Sequence, residues 1–305
     1  MSSKRFNEEL DELFYDKRYR GFPPSRHRLM LRDEQRILQF DKALRHATTP
    51  NSTVVDLGAG SGVLSLLACR HGASKVWAVE GGLLASHLKE IAEANSFQRR
   101  VQVLKRDLLD PPPRGLSADI IVLELLGDFG IDEDIQEISA MWSRALKPGG
   151  TMVPSAVTMY VRAVQSSELA DVVRFWHSRP HGFDFHPIAK LAKGSAYTFW
   201  SARCNYLTQP CVLGTVTLPA SRPIRSTSCT LRCSAEGTLS GFIGWFEAEL
   251  GPTAIIKPTP RSHWSKVFFP LSEEQRVRKG TRLRFTLMVH GLTSQGDWSW
   301  RCDQA

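Results

Sequence analysis

Residues 54–62 read Val-Val-Asp-Leu-Gly-Ala-Gly-Ser-Gly, a short apolar run that turns through three glycines into a segment with helical spacing. Gly58, Gly60 and Gly62 let the backbone bend sharply and come close to a ligand. Glu80 closes the next apolar run, 18 residues after Gly62. An acid at that strand end can accept from both hydroxyls of a ribose. The spacing is G-x-G-x-G, preceded by Asp56, not the G-x-G-x-x-G that seats a pyrophosphate on a helix N-terminus.

Glu124 and Glu133 lie nine residues apart across a glycine-containing loop. Two carboxylates in one pocket raise each other's pKa unless a cation neutralises them. A guanidinium suits that need, because its planar donor fork pairs bidentately with carboxylates. Taken alone, two glutamates at this spacing are ordinary surface acids. Likewise His263, taken alone, is an ordinary hydrogen-bonded histidine of a β-rich segment.

In context these residues resemble the protein arginine methyltransferase family. Asp56 with the three glycines resembles the first motif of class I S-adenosylmethionine methyltransferases. Glu124-Leu125-Leu126-Gly127 with Glu133 resembles the family's double-E loop. Ser262-His263-Trp264-Ser265, followed by VFFPL, resembles its Thr-His-Trp loop. His27-x-x-Met30-Leu31-x-Asp33-Glu34-x-Arg36 resembles its cofactor-covering helix, and Tyr15 and Tyr19 the aromatic pair before it. The resemblance runs from about residue 13 to 295.

The resemblance implies that S-adenosyl-L-methionine is bound by Asp56, Gly58, Gly60, Gly62, Glu80 and Asp107. It implies Arg36, assisted by His27, on the cofactor's carboxylate, and Met30 near the transferred methyl. Glu124 and Glu133 would clamp a guanidinium. Glu133, or His263 paired with Asp33, would take the released proton, and Tyr19 and Trp264 would contact substrate. Three positions depart from the pattern. Asp16 replaces a Phe, and Asp128 replaces an aromatic or small hydroxyl residue. The Leu-Leu-Gly-x-Phe form looks like the symmetric-dimethylating branch, from which Met30 departs, so product symmetry stays open.

Elements must position these groups. Apolar spacing suggests helices at about 5–20 and 30–47, separated by Pro23-Pro24. Strands TVVDL, KVWAVE, VQVLKRD and DIIVLELL then alternate with helical segments, the last of which stops at KPGG. That order predicts βαβ units and a parallel sheet. After Pro154, runs such as VTMYVRAV, CVLGTVTL and RLRFTLMVHG alternate with the strand period, predicting antiparallel β, a barrel or sandwich. The expected architecture is α/β: a Rossmann-like cofactor domain with its covering helices over 1–153, then a β-barrel-like substrate domain over 154–305. Segment 168–210 holds Phe175, Trp176, Phe183, Phe185, Tyr197, Phe199 and Trp200. The resemblance makes it a dimerisation arm and the protein a homodimer; a hydrophobic cap without dimerisation is the alternative.

The 305 residues are 42% hydrophobic and 23% charged, which suits a globular chain of about two domains. The charged N-terminus lacks an apolar signal core, and no apolar run is long enough for a membrane span, so a cytosolic protein is expected. The six cysteines lack metal-site spacing and read as reduced thiols. Net charge is +8, with bases interleaved among acids and no nucleic-acid-binding motif, so a solvated mixed surface is expected. A basic enzyme repels a basic Arg/Gly-rich tail. The acceptor is therefore weighed as a protein or peptide arginine first, with free arginine or another small guanidine as the alternative. Lys257, Arg261 and Lys266 are available as cations for the latter, and Asp128 for its ammonium.

Overall fold

A computed structural model describes residues 22–259, 262–291 and 298–304. Tyr15, Asp16, Tyr19, Arg261 and the expected helix at 5–20 lie outside these residues. Strands β1 (Thr53–Leu57), β2 (Lys75–Val79) and β4 (Ala118–Leu123) are short apolar runs buried along most of their length. Such runs suit strands covered on both faces. With β3 (Val101–Leu104) and β5 (Leu146–Val153) they form one parallel sheet in the order β3-β2-β1-β4-β5. Helices α3 (Val63–Arg70), α4 (Leu88–Ala94) and α5 (Ile135–Trp142) carry crossovers. The winding reverses between β1 and β4, and ligands bind at the carboxyl ends of strands where such a reversal opens a crevice. The glycine turn follows β1, and Glu124 follows β4.

Two local readings are corrected. The expected helix over 30–47 is two helices, α1 (Pro24–Arg32) and α2 (Glu34–Ala47), broken at Asp33. Asp33 caps α2 by accepting from the Arg36 N–H at 3.0 Å. The KPGG stop lies inside β5. Pro148 is tolerated there because β5 is the sheet's edge strand.

The remaining strands are antiparallel. β6 (Ala156–Gln165) pairs with β9 (Cys211–Thr217) and the long β11 (Gly237–Gly251). β11 pairs with β13 (Lys266–Val277), which pairs with β7 (Tyr197–Phe199). A second sheet orders β10 (Ser226–Arg232), β14 (Arg282–Val289) and β15 (Trp298–Gln304). Phe285 of one sheet meets Phe242 and Phe269 of the other at ring distances of 4.6 and 5.5 Å, so the sheets close over a shared core. Between β6 and β7 the chain forms α6 (Ser167–Arg174) and α7 (His186–Lys193).

Phe129, from the loop between β4 and α5, enters this β core. Its ring lies 5.3 Å from Phe269 and 5.6 Å from Trp298. Gly244 makes the room: a methyl there would lie 2.4 Å from the Phe129 ring. The loop bearing Glu124 and Glu133 is thus pinned between the two halves.

Candidate active site

A cavity of about 360 Å³ occupies the crevice, and its wall includes Gly58, Gly60, Glu80, Glu124, Glu133 and His263. Backbone N–H groups of Gly58 and Ala59 donate to Val79 O at 2.9 and 3.0 Å, which ties the glycine turn to the end of β2. Gly60 has φ +52°, and a methyl there would lie 2.5 Å from His27 Cε1. Only glycine lets the turn and the His27 ring share that space. Glu80 accepts the Gly60 N–H at 2.8 Å on Oε2 and the Gly82 N–H at 2.6 Å on Oε1. Each carboxylate oxygen can still accept another hydrogen bond, so a fixed acid faces the cavity with capacity for a diol. Burial pulls the His27 pKa down, against the charge of Glu80.

Three residues expected on the cofactor lie off the wall. Asp56 is buried beneath the turn and accepts from Ser65 Oγ at 2.6 Å. Burial pushes its carboxyl up to about 6. Gly62 faces Leu88, where a methyl would lie 2.8 Å from the leucine. Asp107 is exposed because β3 ends at Leu104, and its carboxylate accepts from the Leu109 N–H at 3.0 Å.

The acids form the second feature. Glu124 accepts from Arg36 Nε at 3.0 Å and from Arg36 Nη2, with both side chains less than a tenth exposed. Arg36, expected on the cofactor's carboxylate, therefore also neutralises Glu124. It donates to Met30 O at 3.4 Å as well, and Met30 lines the cavity. Burial, then the charges of Glu124, Asp132 and Asp128, raise the Glu133 pKa well above its ordinary value, with Arg26 opposing. Asp132 accepts the N–H groups of Asp128 and Phe129, each at 2.9 Å. Gly127, at φ +54°, leaves it room: a methyl there would lie 2.4 Å from the Asp132 carboxylate. Asp128 Oδ1 accepts the Ser265 N–H at 2.8 Å and so ties this loop to the His263 loop.

Asp33 stands behind His263, off the wall. Its Oδ2 lies 3.0 Å from His263 Nδ1 and accepts the His263 N–H at the same distance. Burial pushes the Asp33 carboxyl up, but hydrogen bonds from the His263 ring and the Arg36 and His263 backbones outweigh it and hold the pKa low. A carboxylate on Nδ1 assigns the proton there and leaves Nε2 an acceptor. Trp264 lines the cavity, its ring 4.1 Å from His263 and 5.3 Å from Phe246. Sequence reading missed Arg26 and Asp132 on the wall. Their adjacency to His27 and Glu133 was the available signal.

The sheet order, the glycine turn and the strand-end acid define a class I methyltransferase. The family model for ribosomal protein L11 methyltransferase matches residues 40–169, and that for the arginine methyltransferase oligomerization subdomain matches 155–297. The arginine N(omega)-methyltransferase of Streptomyces achromogenes subsp. streptozoticus is 28% identical over 280 residues, which cover 87% of this chain and 76% of that protein. Protein arginine N-methyltransferase 8-B of Danio rerio is 24% identical, covering 86% of this chain and 66% of that protein. Protein arginine N-methyltransferase 1 of Caenorhabditis elegans is 24% identical, covering 84% and 78%. The fold matches that of the Trypanosoma brucei PRMT1 enzyme-prozyme complex with AdoHcy, with a TM-score of 0.80, 21% identity and coverage of 91% of this chain and 92% of that one. The chain belongs to the protein arginine methyltransferase family and is an S-adenosylmethionine-dependent arginine methyltransferase. Among the described residues, no helix is long and apolar enough to cross a membrane.

Proposed function

We propose that this cavity moves a methyl group from S-adenosylmethionine to a guanidino nitrogen of arginine held between Glu124 and Glu133. The convergence of Glu124, Asp128, Asp132 and Glu133 on one wall carries the reading. Arg36 answers Glu124, while burial and the charges of Glu124, Asp132 and Asp128 raise the Glu133 pKa well above its ordinary value. A planar cation compensates that charge.

The cavity's groups fit the cofactor: Glu80 to accept from the ribose hydroxyls, the glycine turn for close backbone approach, and Arg36 for a carboxylate. The sulfonium supplies an already activated methyl group. The protein's task is alignment and exclusion of water. Glu124 and Glu133 draw positive charge to one side of the guanidinium and leave the opposite nitrogen the better nucleophile. That nitrogen would take the methyl that bound S-adenosylmethionine supplies, with the carbon–sulfur bonding pair left on sulfur. The released N–H proton passes to Glu133 or to His263 Nε2, which Asp33 keeps oriented. Trp264 contacts the substrate and Met30 lies near the transferred methyl in this reading.

A protein or peptide arginine is the acceptor the sequence weighs first. Free arginine is the second reading, favoured by a cation on the cavity wall. The arm at 168–210, with exposed Phe183 and Leu191, pairs two copies of the chain, and the enzyme works in the cytosol.

Glu124→Gln and Glu133→Gln test the clamp. Each should lower turnover by about 10²–10⁴, read by mass spectrometry of methylated guanidines. Full activity of both variants on every guanidine tested refutes it.

A further inference from the structure

The cavity carries more charge than a guanidinium clamp uses. Arg26, on α1, is half-buried on the same wall, its guanidinium 5.7 Å from the Phe22 ring centroid. Among the described residues it forms no ion pair with a carboxylate. Its charge nonetheless reaches Glu133. Lys257, one of the cations considered from sequence, is paired with Glu247 at 3.1 Å. Asp128 shares the wall with one carboxylate oxygen fixed on the Ser265 N–H. Its other oxygen accepts no hydrogen bond among the described residues.

A peptide-bound arginine brings one charge into the cavity, its guanidinium. Neutral main-chain amides offer the half-buried Arg26 and Asp128 hydrogen bonds but no opposite charge to neutralise them. A free guanidino amino acid brings three charges: guanidinium, carboxylate and ammonium. Two glutamates, one arginine and one aspartate answer them in kind. The net charge of +8 acts in the same direction, since it repels a basic tail and leaves a small substrate with compensating ends largely unaffected.

We propose that the acceptor is a free guanidino amino acid, L-arginine or a close analogue, with Arg26 holding its α-carboxylate and Asp128 its ammonium. The proposal rests on the guanidino-methyl-transfer reading above.

Steady-state turnover of the full chain is measured on L-arginine, on agmatine, which keeps the guanidine and amine but lacks the carboxylate, and on an Arg/Gly-rich peptide. L-Arginine should exceed both others in kcat/KM by about ten- to a hundredfold, the range for a charge-assisted contact. Arg26→Gln should bring the arginine-to-agmatine ratio close to one through KM, and Arg26→Lys should keep part of it. Equal use of agmatine and L-arginine by the unaltered enzyme, or better use of the peptide, overturns the proposal and leaves the clamp standing. So does an Arg26→Gln variant that raises KM for S-adenosylmethionine while preserving the ratio, which assigns Arg26 to the cofactor. Absence of turnover on every guanidine overturns the clamp reading and this proposal together.

Discussion

Glu124, Asp128 and Asp132 act on Glu133 from the same wall, so pH should act on the enzyme through it. Burial and those neighbours raise its pKa above the ordinary 4.5. A raised folded-state pKa favours the folded protein below the unfolded value, and that contribution is lost as pH rises through the folded value. Binding has the opposite sign, because a guanidinium needs the ionised form. KM for the guanidine should therefore fall as pH rises from 4.5 through the elevated pKa, and the KM of Glu133→Gln should stay flat over that window. A KM for the unaltered enzyme that does not move with pH contradicts this. At this scale spacing singled out Glu80 at a strand end, whereas Glu124, Glu133 and His263 were legible only through the resemblance of their loops to the family's. Neither signal could show that Arg36 meets Glu124 across 88 residues, or that β3 stops short of Asp107. Both depend on tertiary packing.

Asp33 acts at the scale of elements, since one carboxylate ends α1, starts α2 and orients His263 across 230 residues of sequence. Asp33→Ala should cost about 0.5–2 kcal/mol for the lost cap and a further contribution of about 1.5–3 kcal/mol for the charged hydrogen bonds, read as a lower midpoint in denaturant. Asp33→Asn keeps a capping oxygen and should recover most of the stability while kcat stays low. If kcat recovers along with stability, the residue is structural only. The break at Asp33 was hidden in the sequence because apolar spacing runs through it. Arg36 occupies the position where a capping box would show Glu or Gln. The strand β5 was hidden for the converse reason: Pro148, Gly149 and Gly150 are turn signals, overridden here by a sheet edge. The parallel strands were legible because burial on both faces demands continuous apolar runs.

At the scale of the whole molecule, the arm exposes side chains that a lone chain gains nothing by exposing. Leu191 is 71% and Phe183 68% solvent-accessible. Together they suit a second subunit. If these side chains carry the proposed pairing, the unaltered chain should run as a dimer in small-angle scattering or sedimentation, and the variant with both replaced by Glu as a monomer. A monomeric unaltered chain or an unchanged dimer contradicts it. The aromatic count of the segment pointed to this region; its division into α6, α7 and the turns between them came only from the fold.

Phe129 couples the two halves of the molecule thermodynamically. It belongs to the parallel-sheet half by sequence, yet it is fully buried and packs its ring against Phe269 and Trp298 of the β half. Neither half can melt without exposing that ring or emptying its socket. Heat should therefore unfold both sheets in one calorimetric transition, with the loop that bears Glu124 and Glu133 among the last segments to exchange its amide hydrogens.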